Sequence, residues 1–213
     1  QVDILVNNAG TQDRHPAVDF PLEAWDAVMD VNLRAVFQLC QIFGRPMLER
    51  GRGSVVNLAS LLSFQGGVTV PAYAASKGAV AQLTKALCNE WAGKGVNVNA
   101  VAPGYMATDM NAALLADPVR LEQLSVRIPA GRWGAPEDIG NVVVFLASQA
   151  AAYVHGQVLA VDGGWMAREG SNSVLGCQLS RLTASHYRSE LPMRRAHSYA
   201  PETLEALELL GLQ

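Results

Sequence analysis

Short apolar runs and longer segments with helical periodicity alternate along the chain. The apolar runs cover residues 3–6, 54–59, 96–101 and 158–161. Each run is followed closely by asparagine, serine, proline or aspartate. Runs of this length that end in turn-forming residues are typical of buried parallel strands. The pattern therefore predicts four strands, each closed by a polar turn.

The segments between the strands have the apolar spacing of helices. Periodic apolar positions continue from residue 21 to residue 48, where Gly51 breaks the pattern, and residues 72–94 are rich in alanine and leucine. Gly95 predicts the end of this second helix, because glycine readily adopts the left-handed conformation that terminates helices. A third helix is predicted to begin at Pro136, since proline is favoured in a first helical turn.

This alternation of strands and helices predicts an α/β fold with a doubly wound parallel sheet and helices on both faces. Ligands in such sheets bind beyond the carboxyl ends of the strands. Asn7, Ser60 and Pro103 directly follow or end the first three predicted strands. We therefore expect these residues to converge on one crevice.

Composition and charge narrow the class of protein. Half of the 213 residues are apolar and 16% are charged, as expected for a globular domain with a sizeable core. The net charge of −3 gives no basis for electrostatic binding to nucleic acid or to an anionic membrane. No apolar run approaches the roughly 20 residues that span a bilayer, and no signal-peptide pattern precedes the first strand.

The cysteines indicate a reducing compartment. Cys40, Cys88 and Cys177 are scattered and odd in number. Their spacing matches neither a disulfide framework nor a zinc site, so we expect reduced thiols in a cytoplasmic protein without a bound metal.

Tyr73 and Lys77 are the strongest candidates for chemistry. They lie four residues apart in a predicted helix and therefore share one face. Free tyrosine titrates near 10, too high for a base at neutral pH. A neighbouring ammonium favours the phenolate, because opposite charge stabilises the ionised form. The spacing predicts a proton-transfer pair.

Ser60 and Asn32 complete the candidate set. Ser60 stands thirteen residues before Tyr73 at a strand end, where its hydroxyl could hydrogen-bond a substrate oxygen. Asn32 lies in the preceding helical region, and its side chain could hold a water that links Lys77 to solvent. Taken singly, each residue has an ordinary structural explanation, such as packing, capping or a solvated charge. Their joint order and spacing favour the functional interpretation.

Three motifs carry a family resemblance. Tyr73-Ala74-Ala75-Ser76-Lys77 resembles the Tyr-x-x-x-Lys signature of the short-chain dehydrogenase/reductase family. Asn7-Asn8-Ala9-Gly10 resembles that family's sheet-stabilising turn, and Pro103-Gly104 with Thr108 resembles its nicotinamide-contacting segment. The resemblance implies a Rossmann-like fold and a small-molecule oxidoreductase that forms a homo-oligomer, a tetramer in intact relatives, without nucleic-acid or membrane partners.

The resemblance also implies roles for individual residues. The catalytic tetrad maps onto Asn32, Ser60, Tyr73 and Lys77, with hydride transfer at the nicotinamide and proton exchange by Tyr73. The implied cofactor is NAD, with NADP not excluded. The implied cofactor contacts are Asn7, Ala9, Gly10, Tyr73, Lys77, Pro103, Gly104, Met106 and Thr108.

A closer resemblance indicates the substrate. Residues 61–67, 99–108, 127–134 and 161–165 resemble the 2-dehydro-3-deoxy-D-gluconate 5-dehydrogenase and 2-deoxygluconate 3-dehydrogenase group of this family. The implied substrate is a deoxy sugar acid with a secondary hydroxyl or ketone.

A sugar acid needs a cation for its carboxylate. Arg14 and Arg132 are the candidates, and Ser60 and Gln65 are further candidates for contacts with the substrate. In the alternative interpretation, which we favour, Arg132 braces a loop or a subunit contact.

The family's Thr-Gly-x-x-x-Gly-x-Gly loop, which binds the cofactor pyrophosphate, does not occur in the sequence. In intact relatives three strands precede the Asn-Asn-Ala-Gly turn. We therefore expect an N-terminal part, with the first three strands, to be missing, and residues 3–6 to form an apolar edge.

We expect this chain to bind NAD weakly or not at all. Tight NAD binding in calorimetry would contradict that expectation. The alternative function is an inactive pseudoenzyme or interaction module.

The sequence changes character after Arg168. Residues 171–197 are polar, contain four arginines and show no strand pattern, whereas residues 203–210 have helical periodicity. We predict that residues 1–168 are the catalytic part of a Rossmann-type dehydrogenase domain. Residues 169–213 are predicted to be a non-family tail, partly disordered with a terminal helix.

Overall fold

The sheet contains four parallel strands in the order β1-β2-β3-β4. These are β1 Ile4–Asn7, β2 Gly53–Leu58, β3 Val96–Pro103 and β4 Val158–Val161 in a computed structural model that describes residues 1–168. The predicted tail with its terminal helix, and Cys177, lie outside the described residues. Register pairs Asn7 with Asn57 and Asn57 with Ala100. All four predicted strands are confirmed to within two residues at each end.

Helices cover both faces of this sheet. They are α1 Leu22–Met29, α2 Ala35–Arg50, α3 Pro71–Trp91, α4 Ala112–Leu115, α5 Pro118–Ser125 and α6 Pro136–Ala147. One face packs Val55 of β2 against Met47 of α2 and Leu87 of α3. On the other face, Val56 of β2 packs with Leu146 of α6. The predicted doubly wound α/β class is confirmed.

The burial of β1 differs from that of the inner strands. Val55, Val56 and Val98 in the inner strands are fully buried, and each contributes roughly 1.5–3 kcal/mol through removal of apolar surface from water. Ile4 and Val6 of β1 are half-exposed instead. Within the described residues β1 pairs with β2 alone, so it forms an edge of this sheet.

The helical stretch predicted over residues 21–48 is interrupted. Residues Asp30–Arg34 form a π-helix between α1 and α2, which inserts extra backbone into one turn. Asn32 lies within this insertion and is completely buried. The π-helix therefore directs the polar side chain of Asn32 towards the protein interior.

Residues 105–129, between β3 and α6, contain helices that the apolar pattern does not predict. A 3-10 turn at Asp109–Asn111 leads into α4, and α5 follows. Asp117 caps α5 by accepting hydrogen bonds from the backbone N–H groups of Val119 and Arg120. Short capped helices satisfy their own backbone groups, so they form without the apolar periodicity that identifies longer ones.

Gly95 ends the α3 region as predicted, with φ of 79°. A Cβ at this position would lie 1.9 Å from the carbonyl oxygen of Gly51. We expect Gly95→Ala to lower the free energy of unfolding by roughly 2 kcal/mol, through left-handed strain and the clash together. Urea unfolding measures this loss. Gly93→Ala is the matched control, because a Cβ on Gly93 meets nothing within 4 Å. Equal effects of the two substitutions would contradict the expectation.

Candidate active site

Three strand ends meet beside the start of α3. Asn7 ends β1, Ser60 follows β2, and Pro103 ends β3. Because these strands are parallel neighbours, their carboxyl ends open on the same edge of the sheet. The three strand ends therefore share the edge at which the sequence predicts a crevice, and Lys77 of α3 reaches Leu58 at the end of β2.

Tyr73 and Ser60 are in contact. Hydrogen bonding with the Ser60 hydroxyl acts to lower the pKa of Tyr73. Burial of the phenol has the larger effect, so the pKa of Tyr73 lies above its ordinary value. The Ser60 Oγ also accepts a hydrogen bond from the backbone N–H of Leu62 at 3.2 Å.

Lys77 is anchored to β2. Its Nζ donates to the carbonyl oxygen of Leu58 at 2.5 Å, and stabilisation of the Tyr73 phenolate by this ammonium stays a prediction. Nζ lies 5.7 Å from the centroid of the Tyr73 ring. Lys77 is itself buried, and burial lowers its pKa from 10.5 to about 8. Burial is therefore the largest influence on the pKa of both residues.

Asn32 is held by protein partners. Its Oδ1 accepts from the backbone N–H of Thr11 at 2.8 Å, and its Nδ2 donates to the Thr11 carbonyl oxygen at 2.9 Å. The same Nδ2 donates to the Ser76 Oγ at 3.1 Å. Both amide N–H groups are thus engaged. In this structure the side chain ties the segment after β1 to α3, and its proposed water-holding role stays a prediction.

Asn7 lies in a buried polar network that sequence reasoning missed. Its Nδ2 donates to Asn57 Oδ1 at 2.8 Å across the sheet. Asn57 Nδ2 donates to Thr84 Oγ1 on α3 at 3.0 Å. The available signal was a polar residue inside the apolar run Val55-Val56-Asn57-Leu58. The network joins β1, β2 and α3, consistent with the sheet-stabilising role implied for the turn.

Gly10 places the turn after β1 against the catalytic candidates. A Cβ on this glycine would lie 3.5 Å from Asn32 Oδ1 and 3.6 Å from Lys77 Nζ. The neighbouring Ala9 is exposed and Gly10 is half-buried. The backbone here thus lies open beside Lys77, as a site for a bound ring and sugar requires.

The segment after β3 is pinned against β4. Gly104 donates its N–H to the Val161 carbonyl oxygen at 2.9 Å, and a Cβ on Gly104 would lie 2.7 Å from the Cα of Asp162. Met106 is buried, whereas Thr108 is half-buried at the mouth of the crevice. A nicotinamide and its ribose need hydrogen-bond donors and acceptors. The groups of this kind are the exposed backbone after β1, the hydroxyl of Thr108 and the buried ammonium of Lys77.

The two candidate arginines differ in their partners. Arg132 forms a bidentate ion pair with Asp138, with N–O distances of 2.6 and 2.9 Å. This pairing raises the pKa of Arg132 and lowers the pKa of Asp138 to about 2. Asp138 also accepts from the backbone N–H of Ala135 at the start of α6. The geometry agrees with the bracing interpretation of Arg132.

Arg14 and Gln65 are both exposed. The backbone N–H of His15 donates to the carbonyl oxygen of Thr69 at 3.0 Å, which joins the segment after β1 to the one before α3. Within the described residues Arg14 forms no ion pair through its guanidinium. A carboxylate could therefore approach Arg14 without competing with a resident anion.

Residues 1–168 lack two other kinds of feature, a metal-binding cluster and a membrane-spanning helix. No group of three or more histidine, cysteine, aspartate or glutamate side chains in this part of the chain is arranged to hold a metal ion. None of the helices in the described region has the length and apolar character needed to cross a membrane.

Comparison with known proteins identifies relatives along most of the chain. A family model described as enoyl-(acyl carrier protein) reductase matches residues 1–166. The 2-dehydro-3-deoxy-D-gluconate 5-dehydrogenases of Bacillus subtilis and Escherichia coli are 58% and 50% identical over 168 residues. Those matches cover 79% and 78% of this chain and 66% of each relative. The chain thus spans just under two thirds of the length of these curated relatives.

A solved structure gives a similar result. The crystal structure of a gluconate 5-dehydrogenase from Burkholderia cenocepacia, in complex with NADP and tartrate, is 45% identical and superposes with a TM-score of 0.77. The match covers 78% of this chain and 66% of that one.

Proposed function

The chain belongs to the short-chain dehydrogenase/reductase family, and from this premise we propose that it is a NAD(P)-dependent oxidoreductase acting on a sugar acid. It interconverts a secondary hydroxyl and a ketone, with 2-dehydro-3-deoxy-D-gluconate as the type of substrate. The observation that carries the proposal is the hydrogen bond between Tyr73 and Ser60 at the strand ends, with Lys77 one helical turn from Tyr73.

Each residue of this group has a distinct task. Ser60 holds the substrate oxygen through its hydroxyl, and Tyr73 receives the hydroxyl proton as the carbonyl forms. NAD(P), when bound, supplies the hydride acceptor. Lys77 places a positive charge near Tyr73, which stabilises the phenolate that accepts this proton. Asn32 fixes Thr11 and Ser76 around this group.

The expected cofactor contacts follow the crevice. We assign the nicotinamide end to Asn7, Ala9, Gly10 and the segment Pro103, Gly104, Met106 and Thr108. Lys77 is assigned to the ribose, and Thr108 to the carboxamide. The half-buried hydroxyl of Thr108 and the open backbone at Ala9 support this assignment. The choice between NAD and NADP stays open, and a related gluconate 5-dehydrogenase holds NADP.

The substrate class is supported by chemistry as well as by relatives. A sugar acid brings a carboxylate into the crevice, and a carboxylate is best held by a guanidinium. Arg132 is already neutralised by Asp138. We therefore assign the substrate carboxylate to Arg14, with Gln65 as a second polar contact.

Turnover tests the proposal. Purified chain is incubated with 2-dehydro-3-deoxy-D-gluconate and a millimolar excess of NAD or NADP, and the ultraviolet absorbance of reduced nicotinamide is followed. The cofactor is kept in excess because this chain is expected to bind NAD weakly. Under these conditions we expect slow cofactor reduction with the sugar acid and still slower reduction with a sugar alcohol of the same length that lacks the carboxylate. No reduction with any sugar acid would contradict the function. No described feature specifically favours the pseudoenzyme alternative.

Location and assembly complete the proposal. Cys40 and Cys88 are both free thiols, which supports a cytoplasmic location. A groove of about 350 Å³, lined by apolar residues that include Leu33, Phe37 and Leu83, supports a homo-oligomer. Light scattering tests the assembly, and a monodisperse monomer would contradict it.

A further inference from the structure

Ser63 joins the backbones of two catalytic candidates. It ends the 3-10 turn Leu61–Ser63 that follows Ser60. Its Oγ accepts a hydrogen bond from the backbone N–H of Ser60 at 3.3 Å and donates to the carbonyl oxygen of Lys77 at 2.7 Å. One half-buried hydroxyl thus bridges the loop after β2 and the second turn of α3.

The bridge acts where alignment matters most. Ser60 must present its hydroxyl to Tyr73, yet the two residues belong to different elements, a loop and a helix. Lys77 is additionally tied to β2 through the Leu58 carbonyl oxygen. Without the Ser63 hydroxyl, the backbone N–H of Ser60 loses its side-chain acceptor, and the loop is free to move relative to α3. A displacement of about 1 Å at a reacting group can cost a hundredfold in rate.

We propose that Ser63 is a positioning residue, which holds Ser60 in register with the face of α3 that carries Tyr73 and Lys77. An effect of Ser63 on catalysis rests on the proposed function. The alignment of Ser60 with Tyr73 rests only on the hydrogen bonds that Ser63 forms.

Titration of Tyr73 provides a readout that does not need turnover. The full chain is labelled with ¹³C at tyrosine Cζ, and the Tyr73 resonance is assigned from its absence in Tyr73→Phe. Because the Ser60 hydrogen bond lowers the pKa of Tyr73, loosening that bond raises it. We expect Ser63→Ala to lower the ionisation constant of Tyr73 about threefold or more, which is half a pKa unit. Ser63→Thr keeps the hydroxyl and is expected to restore the wild-type value.

Ser148→Ala is the matched control. Ser148 also donates to a helix carbonyl oxygen, that of Phe145, and accepts from a backbone N–H, that of Ala150. It lies at the end of α6, so its loss is expected to leave the Tyr73 titration unchanged. Ser63→Cys, which keeps the volume with weaker hydrogen bonding, is expected to give an intermediate value.

The outcomes separate the two proposals. An unchanged Tyr73 titration in folded Ser63→Ala and Ser63→Cys overturns the positioning role, as does an equal shift in Ser148→Ala.

Where wild type turns over, kcat is expected to fall about tenfold in Ser63→Ala with the KM for cofactor unchanged, and a change confined to KM overturns the role. A shifted titration in a chain with no activity supports the alignment by Ser63 and contradicts the proposed dehydrogenase function.

Discussion

Replacing Tyr73 by phenylalanine is expected to reduce kcat by roughly 1,000-fold, within the range found for removal of a general acid or base. The substitution removes one oxygen and keeps the ring, so the packing at the start of α3 is retained. Ser60 can still hold the substrate oxygen, but no group remains to receive its proton. The KM for NAD(P) is expected to change by less than about threefold, since binding and proton transfer are separate tasks.

Tyr153→Phe is the control for this substitution. Tyr153 is 99% exposed and lies after α6, far along the chain from the strand ends. Circular dichroism and urea unfolding of both variants establish that each retains the wild-type fold. Turnover within tenfold of wild type in Tyr73→Phe would remove Tyr73 from its assigned role. An equal loss in Tyr153→Phe would indicate a general effect of tyrosine removal.

The sequence predicted the main elements because their signals are local. Val158–Val161 is a strand with the predicted limits, and Gly95 has the left-handed backbone expected of a helix stop. The helices within residues 105–129 were missed, because they are short and lack an apolar stripe. The π-helix at Asp30–Arg34 was missed as well, since one inserted residue leaves the apolar periodicity on either side almost unchanged.

The sequence predicts which candidate residues lie together better than it predicts their pKa values. Spacing places Tyr73 and Lys77 on one helical face, and strand ends converge wherever strands are parallel. Burial, however, depends on the whole fold, so the raised pKa of Tyr73 could not be predicted from a neighbour four residues away. Directional bonds across long sequence separations, such as Arg132 to Asp138 or Asn57 to Thr84, likewise leave no local signal.

The catalytic task proposed for Lys77 is accompanied by a cost to stability. A buried ammonium is held by one carbonyl oxygen, and burial lowers its pKa to about 8. The folded chain therefore binds this proton more weakly than the unfolded chain does. Lys77→Met keeps much of the aliphatic stem and removes the charge. It is expected to reduce kcat by roughly 100-fold, because the phenolate that accepts the substrate proton loses its counter-charge.

The same substitution is expected to change how stability depends on pH. Between the folded pKa of about 8 and the unfolded value of 10.5, the unfolded wild-type chain holds a proton that the folded chain has released. Stability rises with pH wherever the unfolded state binds more protons, so wild type gains stability over Lys77→Met across this window. The gain is at most about 3 kcal/mol, since one pKa unit corresponds to about 1.4 kcal/mol.

Urea unfolding near neutral pH and again near the upper end of this window measures the change. Lys85→Met is the matched control, because Lys85 lies two turns further along α3 and is exposed in the folded chain as it is in the unfolded chain. The difference between wild type and Lys85→Met is expected to stay nearly constant. If the difference between wild type and Lys77→Met also stayed constant, the ammonium would be solvated in the folded state. Lys77 would then lack the buried environment from which its role beside Tyr73 is argued.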